Sequence, residues 1–157
     1  KGRGQLMPTD ASLLKLVATD EKDLAVVSGA LQDAIVPIGD ISFQPETNTF
    51  VLVANRFCWE AAARATAREP DERVNAGVSF SNVVDVKRRG IDFAARGTFL
   101  NLLAISCEPD AGGDGPTVQL TFSGDTAIRL QTTGLLCHLE DFGEAWPTQW
   151  RPEHADQ

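Results

Sequence analysis

The chain has no tyrosine, one methionine and two histidines among its 157 residues. Each scarcity removes a class of function. His138 and His154 form no HxxxH or HExxH pair, so the common imidazole metal centres are excluded. Cys58, Cys107 and Cys137 are an odd set without CxxC spacing, each in an apolar, strand-like run. That pattern describes reduced, buried thiols better than a disulfide framework. Asp110 and Asp114 lack the regular ligand positions of a calcium loop. The expectation is no metal and no cofactor. No apolar run reaches the ~20 residues of a membrane helix, and no secretory h-region lies near the start. The missing tyrosine also weighs slightly against a paratope-like surface.

Cations are scarce as well. Fourteen Lys and Arg against 22 Asp and Glu leave a net charge of −8. A protein that tracks phosphates needs a basic face, and here the basic residues are scattered along the sequence. The same charge opposes docking on anionic membranes. The expected partner is therefore another protein or a second copy of the chain, with no nucleic acid and no membrane, in a reducing cytoplasmic setting.

Catalytic motifs are missing too. Gly112-Gly113-Asp114-Gly115 has neither a following helix nor Lys-Ser/Thr, so it is no phosphate loop. There is no GxSxG. Cys137 and His138 are adjacent, and adjacent residues on a strand face opposite ways, so they form no dyad. His138 with Asp141 is at best a weak orienting pair.

What is present centres on Asp40 to Glu60. Ile41 and Phe43 alternate with polar neighbours, the period of a half-buried strand. Gln44 to Asn48 breaks the pattern with a proline and with an asparagine that tolerates positive φ. Phe50 to Ala54 is then continuously apolar, as in a strand buried on both faces. A hairpin forms the spine of the core. Before it, Leu13 to Val17 reads as a strand. Asp20 caps an amphipathic helix over Glu21 to Ala34, with Leu24, Val27, Ser28, Leu31 and Ile35 at helical spacing. Gly29 within that helix suggests close packing against the sheet.

After the hairpin, Ala61 to Asp71 reads as a loop with a partial helical turn. Arg73 to Phe80 and Val83 to Lys87 read as strands, followed by a turn at Arg88 to Asp92. Flanking breakers make Thr98 to Cys107 a strand and Asp110 to Gly115 an exposed loop. Three short strands in a meander follow from Val118, turning at Gly124-Asp125 and again after Gly134. About nine strands and one helix without a repeated βαβ unit predict an α+β domain. Its core is a strongly curved, mostly antiparallel sheet or partial barrel with one N-terminal amphipathic helix. A pleckstrin-homology-like barrel is one specific version, by fold-level analogy. Residues 1–6 read as a vector-derived leader ahead of Met7, residues 7–150 as one domain, and 151–157 as a frayed tail.

Several short motifs also occur in an order that resembles an uncharacterised family. They are Gln32-Asp33-Ala34, Pro37, Gly39-Asp40, Asn55-Arg56-Phe57-Cys58-Trp59-Glu60, Arg73-Val74, Gly90-Ile91-Asp92, Leu102 to Ile105 and Gly124 to Ile128. The chain is similar over about Leu14 to Asp141 to a domain-of-unknown-function family of short alphaproteobacterial proteins. The resemblance implies a bacterial, cytoplasmic origin and carries no catalytic residue.

The candidate site is a ledge at the end of the central strand. Trp59 offers area and Arg56 a planar fork for a carboxylate or phosphate. Glu60 adjoins them, and Arg73 or Arg88 completes a small ligand-binding site for an anionic group. The bland alternative is a tryptophan closing the core and an arginine paired with a nearby acid. Arg88-Arg89 reads as a solvated basic turn. The resulting expectation is a non-catalytic binding or assembly module. The alternative is an enzyme of unrecognised type with a small anionic substrate near Arg56 and Trp59.

Overall fold

Asp20 starts the helix by taking the Asp23 N–H on its side chain at 2.7 Å, while Asp23 accepts from the Thr19 N–H at 3.3 Å. The first bond satisfies a donor that the helix start leaves over, and the second ties down the residue before the cap. The helix, α1, spans Glu21–Ala30 and buries Leu24 and Val27. It ends four residues earlier than its periodicity predicts. Asp33 takes a φ of 64°, and Ala34–Pro37 becomes a strand, β2. The apolar spacing that suggested more helix is instead strand alternation, with Ala34 and Val36 buried. Gly29 does not pack against the sheet either. It is exposed, and a Cβ there would meet nothing within 4 Å.

The structure, a computed structural model, describes residues 14–58, 72–108, 115–142 and 146–147. The remaining strands are β1 Lys15–Ala18, β3 Ser42–Gln44, β4 Thr49–Phe57, β5 Glu72–Phe80 and β6 Val83–Arg89. They continue with β7 Phe99–Glu108, β8 Thr117–Phe122, β9 Thr126–Thr132, β10 Cys137–Asp141 and β11 Trp146–Pro147. The expected loop over 61–71, all of the 110–115 loop but Gly115, the leader 1–6 and the frayed tail 151–157 lie outside the described residues.

The main sheet runs β1, β10, β5, β4, β2, β7, β8, β9, β6, with β3 added to β4 and β11 to β5. Every described pairing is antiparallel. The result is an α+β domain on an open, curved sheet. The curvature is visible in one bond. β6 is last in the order, yet its Val83 N–H donates to the carbonyl of Asn48 in the β3–β4 turn at 2.8 Å.

The predicted hairpin forms as expected, with Gln44 opposite Thr49 and Asn48 at φ 55°. Burial on β4 is one-sided, however. Phe50, Leu52 and Ala54 are buried, while Thr49, Val51 and Val53 are half-buried on the outer face. The continuous apolar run therefore reflects a partly exposed outer face, not two covered faces.

Two long-range pairings escape sequence reading. β5 and β6 are joined by Ser81-Asn82 but do not pair; β5 lies between β4 and β10, and β6 pairs with β9. The meander also breaks. β8 and β9 form a hairpin, whereas β10 leaves it to pair with β5 and β1. The core packs between the inner faces and α1. Phe50 and Phe80 meet at 6.4 Å between ring centroids, in a core cluster that also holds Leu52, Leu102, Leu120, Phe122 and Leu139. No described helix is long and apolar enough to cross a membrane.

Candidate functional site

Arg56 ends the inner face of β4, and its guanidinium is fully buried. Its Nε donates to Asp141 Oδ1 at 2.9 Å and its Nη2 to Asp141 Oδ2 at 2.6 Å. Nη1 donates to the Phe57 carbonyl at 2.8 Å. Asp141 Oδ2 also accepts the Leu14 N–H at 2.7 Å. β5 lies between these two side chains, and its Ala76 stands opposite both Asp141 and Ala54. The small Ala76 leaves the fork a path across β5. The bidentate geometry is the strong form of ion pair. It binds β4, β10 and the start of β1 into one unit.

Arg73 lies on the other face of the sheet. It is opposite Phe57 in register, and its guanidinium carbon sits 3.8 Å from that ring's centroid. Its Nη1 donates to the Asn55 carbonyl at 2.8 Å and to Asn55 Oδ1 at 3.2 Å. Asn55 in turn donates to Asn75 Oδ1 across the strand pair. Arg56 and Arg73 therefore share one end of the sheet but not one face, because the pleat separates successive side chains.

Arg88 is elsewhere, on β6 at the far end of the strand order. Its Nε donates to the Ile91 carbonyl at 3.1 Å and its guanidinium faces the Phe93 ring at 5.1 Å. The structure thus does not gather Arg56, Arg73 and Arg88 at one spot. Trp59 and Glu60 lie outside the described residues.

A different group of cations does converge. Lys87 stands directly opposite Arg129 across the β6–β9 pair, and Arg89 stands opposite Ala127. Gln119 on β8 is opposite Arg129 from the other side. These residues line a shallow depression on the outer face. Arg129 leans over β8 to Glu108 at 2.9 Å, and Arg89 reaches Asp125 at 3.4 Å; all four side chains are largely exposed. Lys87 makes no ion pair among the described residues. Sequence reading noticed only Arg88-Arg89. The alternation of Lys87 with Arg89, and of Ala127 with Arg129, was a usable sign. What was missing was the pairing of β6 with β9, which nothing local encodes.

Two of the three thiols have raised pKa values. Cys137 is fully buried, and that burial pushes its pKa from 9.0 up to about 12. Cys107 is half-buried and is also raised, first by burial and then by the carboxylates of Glu21 and Glu108. A reactive thiol needs the opposite displacement. His138 and Asp141 do not pair, since they occupy opposite faces of β10 and Asp141 is held by Arg56. Among the described residues, no three His, Cys, Asp or Glu are placed to hold a metal.

A family model described as a protein of unknown function (DUF2948) matches residues 14–154. The chain belongs to the DUF2948 family. No curated protein and no solved structure matches it. The DUF2948 match takes in the whole described sheet, so the buried Arg56–Asp141 pair and the exposed cation face both lie within the family's span.

Proposed function

We propose that this protein is a non-catalytic binding module, and that the outer face of β6, β9 and β8 receives an anionic partner. One observation carries the reading. In a chain of net charge −8, Lys87 and Arg129 are set directly opposite each other with Arg89 beside them. Like charges directly opposite on a sheet are destabilising, so their placement needs a reason other than fold stability. Raised thiol pKa values on Cys107 and Cys137 support the non-catalytic part.

The enzyme reading, with a small anionic substrate beside Arg56 and Trp59, would require a fully buried guanidinium to reach its substrate. A pleckstrin-homology-like version of the barrel remains a proposal about fold alone and lends the chain no ligand.

Chromatography on a sulfonate matrix at pH 7 and low salt tests the binding face. Retention of this acidic protein is expected, with K87Q/R89Q/R129Q emerging in the void and melting like the parent. A parent that is not retained, or a triple variant retained equally, refutes the reading.

A further inference from the structure

We infer that the depression over Ala127 is a site for a single phosphoryl-type oxyanion, a proposal that rests on the binding-face reading above. Ala127 is the floor. It is buried, yet it stands outside the hydrophobic core cluster, because it faces outward beneath the long side chains of its neighbours. Those neighbours are Arg89 directly opposite, Lys87 and Arg129 one pleat along, and Gln119 on the next strand. A small residue ringed by long cations leaves a shallow concavity of about 320 Å³, room for a phosphoryl group and part of the molecule that carries it.

The lining supplies donors and no carboxylate. Arginine presents a planar fork and lysine a rotatable point charge, a combination suited to an oxyanion with several acceptor oxygens. Gln119 Nε2 donates to Thr121 Oγ1 at 3.1 Å and has a second hydrogen to give. The acids nearby are at the rim. Glu108 and Asp125 hold Arg129 and Arg89 through exposed pairs, which exchange at little cost. Asp85 lines the adjoining depression, with Lys87, Thr117, Arg129 and Gln131. The net charge of −8 repels a polyanion approaching from any other side. The ligand is therefore one phosphoryl group on a small molecule, not a nucleic-acid backbone.

Amide NMR on the full chain tests this, with inorganic phosphate titrated at fixed ionic strength against chloride. The expected result is saturable shifts at Lys87, Gln119, Ala127 and Arg129, reproduced by phenyl phosphate. Affinity should fall about tenfold in K87Q and in R129Q, each removing one charge-assisted contact. Shifts that never saturate, or that persist unchanged in both variants, overturn the site. So does a decathymidylate that binds more tightly than phosphate through the same amides, which would assign the face to a nucleic-acid backbone. If phosphate fails while matrix retention survives, the oxyanion site falls and the binding face stands. If both fail, both fall.

Discussion

Arginine meets opposite fates at two places on this sheet. At one, the central strand β4, Arg56 is sealed inside, its fork filled by Asp141 and its Nη1 by a carbonyl. At the other, Arg89 and Arg129 lie in water, held by carboxylates that are themselves exposed. The chemistry of the side chain is the same; the dielectric around it is not. Inside, a charge without its partner costs several kcal/mol, so the pair is obligatory for the fold. Outside, solvent screens each pair to about 0–1 kcal/mol, so the cations are available to something else.

The largest effect should come from breaking the buried pair. D141N keeps the shape but takes the carboxylate charge away from a fully buried guanidinium, at a cost of about 3–5 kcal/mol. Urea unfolding measures it, and a total stability of roughly 5–15 kcal/mol makes the loss plain. Replacing both partners, as in R56M/D141L, should recover most of that loss, because an apolar pair needs no charge compensation.

The next contrast is with pH, again for a buried group. The Cys137 thiol is raised from 9.0 to about 12 in the folded state. The unfolded chain therefore ionises first as pH rises. Stability is full below about pH 9 and falls progressively between pH 9 and 12. The absence of tyrosine removes the phenol that would otherwise titrate in that window. Thermal melts across the range should show the decline, and C137V should lessen it, leaving the part that belongs to Cys107.

Surface changes should be smaller. D20A removes the helix cap and should cost about 1 kcal/mol. G29A faces open solvent in the last turn of α1 and should stabilise by up to about 0.5–1 kcal/mol. A loss instead would restore the close packing that the sequence suggested.

Legibility followed the range of the interaction. The cap at Asp20, the hairpin turn at Asn48 and the strand at Phe99–Glu108 are written in a few adjacent residues. The end of α1 was misread because Leu31 and Ile35 satisfy helical spacing while Val36 and Pro37 belong to a strand. Register over distance was not legible. Asp141 is 85 residues from Arg56, and no local pattern announces that they meet. Lys87 and Arg129 likewise become neighbours only when β6 leaves β5 for β9. The sequence suggested Arg56 either as a ligand fork or as half of an ion pair, and burial places it in an ion pair.

Urea unfolding of D141N beside K87Q/R89Q/R129Q tests most directly the division between arginine that holds the fold and arginine that faces a partner. The account predicts a loss of about 3–5 kcal/mol in the first and a change within about 0.5 kcal/mol in the second. A triple variant as unstable as D141N would make the outer cations structural and contradict it.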